Sequence, residues 1–170
     1  MNIYLLRHGR AEEPSAAIPD GQRALTAEGR RKLGKIGRAM NRMDLRFDLI
    51  LSSPLVRSMQ TAEIVSRILT PRVEVQTCPA LRPGGPIAQI LKALKDLPAG
   101  ASEILLVGHE PTLSQWISEL TFGKAGASIH LKKGGISKLT VGELRPRGFA
   151  TLEWLLTPGQ MELMSGTCAK

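Results

Sequence analysis

Ile3-Tyr4-Leu5-Leu6-Arg7-His8-Gly9 is the stretch around which the rest of the chain is read. Four apolar or aromatic residues in succession predict a short buried strand, and the run stops at a basic pair and a glycine. In an open α/β sheet, ligands are met in the crevice outside the carboxyl ends of the strands. This strand therefore delivers Arg7 and His8 to such a rim, where they reach toward solvent. Gly9 is expected to let the backbone turn away tightly and to allow close approach of a ligand. By itself a three-residue motif recurs by chance, and Arg7 and His8 read equally well as ordinary loop residues.

Outward from this strand the pattern repeats. A polar loop from Arg10 to Arg23 carries Pro14, Pro19 and Gly21 as breakers. A helix then starts at Leu25-Thr26-Ala27-Glu28-Gly29, with Thr26 as N-cap and Glu28 at the positive end of the dipole. Leu33, Ile36, Met40 and Met43 share one face; Arg30, Arg31, Lys32, Lys35 and Arg38 form a solvated one. Phe47 to Leu51 is a second apolar strand, followed by Ser52, Ser53 and Pro54 and a helix that carries Arg57 near its start. Val73 to Gln76 reads as a short strand, Cys78 to Pro86 as a loop, and Ile87 to Leu97 as a helix. Glu103 to Val107 is the clearest buried strand; it ends in Gly108-His109, and Pro111 opens the next helix. Ser128 to Leu131 and Ile136 to Val141 are expected strands joined by the turn Lys132-Lys133-Gly134-Gly135. Phe149 to Leu156 is the last expected strand, and the tail from Pro158 is expected at the surface. Strands alternate with helices through residue 122, which predicts an α/β fold with a mostly parallel sheet covered by helices on both faces.

The 170 residues make one domain, 1–170, the default and suffice to bury a sizeable core. With 42% hydrophobic and 22% charged residues, the composition is that of a soluble globular protein. A net charge of +8 suggests an anionic partner. Nucleic acid is not expected: the two Trp, one Tyr and three Phe do not alternate with Lys or Arg, and no nucleic-acid motif is present. A phosphorylated substrate or an acidic protein fits the same charge. Cys78 and Cys168 are too few for a disulfide framework or a zinc site. No charged leader precedes a long apolar run, and no run reaches membrane length, so no membrane association and a cytoplasmic location are expected.

Three separate strand-ends thus carry Arg7-His8, Arg57 and His109. Parallel strands place their carboxyl ends at one edge, so the four side chains can converge. Two guanidiniums match phosphate oxygens in bidentate geometry, and helix N-termini near Arg57 and after His109 add oriented amides. An imidazole attacks phosphorus when neutral, and neighbouring arginines favour that form. His8 is the candidate nucleophile, with Arg7, Arg57 and His109 balancing charge on the transferring phosphoryl oxygens. As a plain structural residue, His109 would cap the helix after it; His130, on a late strand, is not assigned a role.

Arg7-His8-Gly9, Ser52-Ser53-Pro54-Leu55-Val56-Arg57-Ser58-Met59-Gln60-Thr61-Ala62 and Val107-Gly108-His109-Glu110-Pro111 together resemble the histidine phosphatase superfamily over most of the chain. The short length, Leu81-Arg82-Pro83-Gly84-Gly85 and the ending Trp154-Leu155-Leu156-Thr157-Pro158 are similar to its SixA branch, the phosphohistidine phosphatases. The resemblance implies a phosphoglycerate mutase-like three-layer sandwich, a His8 nucleophile and a pocket of Arg7, Arg57 and His109. It further implies no metal or other cofactor, and a substrate that is a phosphorylated histidine on a signalling or phosphocarrier protein. In larger mutase and acid-phosphatase relatives a carboxylate in the loop after the third strand protonates the leaving oxygen; Leu81 to Pro86 offers none. A small-molecule phosphomonoesterase is the alternative, with Glu12, Glu13 or Glu110 substituting as the acid. A non-catalytic phosphate-binding module is a third reading, although binding alone needs the arginines and not a nucleophile.

Overall fold

The computed structural model describes residues 1–124, 126, 128–144 and 148–166. Six strands make one sheet. β1 (Asn2–Arg7) lies in its interior between β4 (Glu103–Gly108) and β5 (Ile136–Val141). Beyond β4 come β2 (Leu49–Ser52) and β3 (Val75–Thr77), and beyond β5 comes β6 (Ala150–Leu156). The pairs β1–β4, β4–β2 and β2–β3 are parallel, whereas β5 pairs antiparallel with β1 and β6 antiparallel with β5. The helices are α1 (Ala27–Arg42), α2 (Val56–Ile68), α3 (Ile87–Lys95), α4 (Thr112–Phe122) and α5 (Pro158–Ser165); two 3-10 turns lie at Asp20–Gln22 and Pro79–Leu81.

Alternation along the strands builds the layers. Ile3, Leu5, Leu49, Leu51, Ile104 and Leu106 pack on one face beneath α3 and α4, against Ile90, Leu91, Leu113, Trp116 and Ile117. Tyr4, Leu6, Ile50, Leu105 and Val107 pack on the other beneath α1, α2 and α5, against Leu33, Ile36, Met40, Val65 and Met161. Both faces of the central strands are covered, which is why they read as continuous apolar runs. Each such side chain, once fully buried, contributes roughly 1.5–3 kcal/mol. The α/β three-layer sandwich with a mostly parallel sheet is the architecture observed. No helix among the described residues is long and apolar enough to cross a membrane.

Thr26 caps α1 as expected, its hydroxyl accepting from the Gly29 amide at 3.0 Å. Other boundaries move. β3 begins at Val75, because Val73 turns inward to join the core under α2. The expected loop after it contains the Pro79–Leu81 turn, which buries Ala80 and Leu81, and α3 stops at Lys95. Residues 128–131 form no strand. Both edges of β1 are already taken by β4 and β5, so this segment crosses the carboxyl edge of the sheet instead, where the Leu131 carbonyl accepts from Arg7. The tail from Pro158 lies largely at the surface as expected, but as the helix α5. Thr157 and Gln160 form a reciprocal capping box, Pro158 starts the helix, Met161 is buried and Glu162 meets Lys35 of α1 at 2.9 Å. Cys168 lies outside the described residues.

Candidate active site

Sheet register assembles the site. Arg7 is paired with Gly108, and Ser52 with Val107, so β1, β2 and β4 end level with one another. The residues that follow, His8, Ser53 and His109, continue from those ends. The His8 amide donates to the Gly108 carbonyl at 3.0 Å and the Ser53 amide to the Val107 carbonyl at 3.0 Å. The rings of His8 and His109 stand 5.0 Å apart, centroid to centroid.

His8 is buried, at 7% exposure, rather than reaching into solvent. Its Nδ1 lies 2.8 Å from the Gly9 carbonyl. A carbonyl only accepts, so Nδ1 carries the proton and Nε2 keeps its lone pair. Gly9 serves packing more than turning. A Cβ there would stand 2.7 Å from Leu33 Cδ1 and 3.3 Å from Leu25 Cδ2, and the Gly9 amide donates to Thr61 Oγ1. The Lys132–Gly135 turn straps the strand end from the other side. Gly134, at φ +82°, donates its amide to the carbonyls of Arg7 and His8, and the Arg7 amide donates to the Gly135 carbonyl. A side chain is disfavoured at that φ, so glycine is needed there.

Arg7 ends β1 with one Nη donating to the Leu131 carbonyl at 2.9 Å. Arg57 occupies the second position of α2 and is 4% exposed. Both its Nη atoms engage Asp20: Nη1 donates to the backbone carbonyl at 2.7 Å and Nη2 to Oδ2 at 3.0 Å. His109 is 1% exposed, and its Nε2 faces Ser53 Oγ at 2.8 Å and Ser58 Oγ at 3.2 Å. A hydroxyl can donate or accept, and the ring proton sits on Nδ1 where a serine donates to Nε2. The His109 side chain does not cap α4, which starts with no side-chain cap. Arg7 Nε, Arg57 Nε and His109 Nδ1 are all buried with no hydrogen-bond partner. Buried donors are nearly always paired, so the two orphaned arginine Nε–H groups suit an anion, and His109 Nδ1 joins them where it carries the ring proton.

Burial drives the His8 imidazolium pKa down to about 4; the Gly9 carbonyl opposes the shift, and Arg57, Arg7 and Lys133 reinforce it. His109 is driven to about 3 by burial, then by His8, Arg57 and Arg7, with Asp20 opposing. Both rings are therefore neutral at pH 7. His8 offers a lone pair at Nε2 beside two guanidiniums: a phosphoryl oxygen set would meet donors while phosphorus meets a free nitrogen. Among the described residues no three His, Cys, Asp or Glu side chains group closely enough to hold a metal ion.

The structure brings Arg7, His8, Arg57 and His109 together and adds residues whose roles were not read from sequence. Ser53 and Ser58 hold His109, Thr61 bridges the Gly9 amide to the Arg57 carbonyl, and Asp20 holds Arg57. The serines and Thr61 could have been found from their place beside Arg57 at a strand end; Asp20 follows a featureless loop. Glu110 accepts from Ser114 through Oε2, while Oε1 is buried and unpartnered, and its charge opposes the lowering of the Arg7 pKa by burial. Glu12 and Glu13 are exposed.

Comparison with known proteins places the chain in a family. The sequence profile of the histidine phosphatase superfamily (branch 1) matches residues 3–83. An uncharacterized protein of Picosynechococcus sp. is 35% identical over 147 residues, covering 85% of this chain and 88% of the relative. The phosphohistidine phosphatase SixA of Escherichia coli is 24% identical over 164 residues, covering 96% of this chain and 98% of SixA. The structure of the protein histidine phosphatase SixA complexed with tungstate superposes with a TM-score of 0.82 at 25% identity, covering 94% of this chain and 98% of that one. By its sequence, its sheet and its relatives, the chain belongs to the histidine phosphatase superfamily.

Proposed function

We propose that this protein is a metal-independent phosphohistidine phosphatase acting on a phosphorylated histidine of a signalling or phosphocarrier protein. The observation that carries the reading is the pairing of a neutral, lone-pair-bearing His8 Nε2 with the orphaned nitrogens Arg7 Nε, Arg57 Nε and His109 Nδ1. His8 Nε2 attacks phosphorus, a new N–P bond forms, and the P–N bond to the substrate imidazole breaks. That imidazole takes a proton from solvent and leaves neutral. Water then attacks the phosphorus of phospho-His8, releasing orthophosphate and restoring the neutral ring. Arg7, Arg57 and His109 donate to the equatorial oxygens as charge shifts in both steps. Similarity to SixA over nearly the whole of both chains supports the substrate class.

The acid-free loop at residues 81–86 supports it too. An alkoxide needs a positioned general acid, worth about 10²–10⁴-fold, and residues 81–86 supply none. One observation favours the alternative, a small-molecule phosphomonoesterase: the unpartnered Oε1 of Glu110 beside His109. The deciding experiment measures kcat/KM for a phosphohistidine protein, an aryl phosphate and an alkyl phosphate with the native protein and Glu110→Gln. Preference for P–N and aryl substrates, unchanged in Glu110→Gln, is expected. Alkyl esters turned over as fast as phosphohistidine, with loss in Glu110→Gln, would select the monoesterase.

A further inference from the structure

We infer that Asp20 is the positioning residue of Arg57, turning its guanidinium so that the Nε edge, and not the outer fork, meets the phosphoryl group. The inference rests on the reading of Arg57 as a phosphate-binding group. A guanidinium has five N–H bonds in a fixed plane. Asp20 takes one from each Nη, through its backbone carbonyl at 2.7 Å and its Oδ2 at 3.0 Å, and so occupies the end of the fork. The single Nε–H on the side edge is buried and without an acceptor. That edge, Nε with its neighbouring Nη, is a bidentate match for two phosphoryl oxygens.

Asp20 is itself fixed from its other side. Arg23 Nε and Nη2 donate to Asp20 Oδ1 at 2.9 and 2.5 Å, and Arg23 Nη1 donates to the Glu12 carbonyl at 2.6 Å. The 3-10 turn at Asp20–Gln22 thereby becomes a bracket between the long loop and α2. The Asp20 side chain is 60% exposed while that of Arg57 is 5% exposed, so the pair contributes little as an ion pair and acts through orientation. An aspartate that competed with phosphate would sit on the Nε edge; this one leaves that edge free.

The test compares Asp20→Ala, Asp20→Asn, Arg57→Ala and the Asp20→Ala/Arg57→Ala double variant in the full chain. Turnover of an aryl phosphate and calorimetric binding of inorganic orthophosphate are measured, with the thermal midpoint as a folding control. Asp20→Ala is expected to lower kcat about 10- to 100-fold, the scale of a small misplacement of a catalytic group, and to weaken orthophosphate binding. Asp20→Asn, which keeps an acceptor for Nη2, should lose less. The double variant should be no worse than Arg57→Ala, because both changes act on one guanidinium. Unchanged turnover, tighter orthophosphate binding, or losses that add in the double variant would overturn the assignment. Orthophosphate binding and turnover left intact by Arg57→Ala would instead remove the phosphate role of Arg57, and the positioning role with it.

Discussion

The ends of β1 and β4 lie side by side, each finishing in a buried imidazole, yet the two rings are held by opposite nitrogens. His8 gives its Nδ1 proton to the carbonyl of the next residue, so the nitrogen left free is a base. His109 has its Nε2 against two serine hydroxyls, so the nitrogen left free is Nδ1, a donor where a serine donates to Nε2. Burial lowers both pKa values and explains neither difference. On the proposed reading, what separates nucleophile from stabiliser is the first hydrogen-bond partner each ring meets. The same residue type, at matched positions of adjacent strands, is thus prepared for two tasks by its neighbours.

The largest expected effect is on this division of labour. His8→Ala should abolish turnover and leave no phosphorylated protein on rapid quenching without acid, whereas His109→Ala should slow turnover about 10²–10³-fold, the usual loss of one charge-stabilising donor, and still trap the adduct on His8 by mass spectrometry. An adduct in His8→Ala would reverse the assignment. Arg7→Ala and Arg57→Ala should each lose about 10²–10³-fold in kcat, and lysine should rescue poorly because it lacks the planar fork; Arg57→Lys with native kinetics would end the bidentate role.

The pH dependence follows with a defined sign. Both rings titrate lower in the folded chain than the ordinary 6.5, so the folded state binds fewer protons than the unfolded one below about pH 6.5. Stability contributed by the two rings is present above that pH and is lost as pH falls toward about 4 for His8 and about 3 for His109. Chemical denaturation at stepped pH should show this decline, reduced by orthophosphate, and His8→Ala should remove part of it. The His8 limb of kcat/KM should lie near pH 4 rather than 6.5; a limb at 6.5 would mean an exposed ring. The smallest effect concerns α5: Thr157→Ala should cost about 1 kcal/mol through its N-cap, read as a lowered thermal midpoint with kcat unchanged.

The convergence of the four side chains was legible because Arg7, His8 and His109 follow apolar runs and Arg57 opens the helix after another, and parallel runs end at one edge. The sequence did not show which nitrogen each histidine would present, since Ser53 and Ser58 reach His109 only after β2 and β4 pair. Asp20 lies 37 positions from Arg57, in a loop whose residues carry no period. Residues 128–131 alternate as a strand does, yet β1 had no free edge to offer them. The helix α5 buries only Met161, so its apolar pattern is faint; the Thr157-Pro158 start and Gln160 were the readable signal.

The pairing of Arg7 with Gly108 also orders events in time. β1 is made early, but its histidine has no partner ring and no lower wall until β4, about a hundred residues further along, has been synthesised and docked. Until then the candidate nucleophile is unarmed. Turnover should accordingly appear in one late step, as the interior parallel ladder closes, and a ribosome-held chain ending before Glu103 should be inert towards phosphoryl compounds that the finished protein consumes.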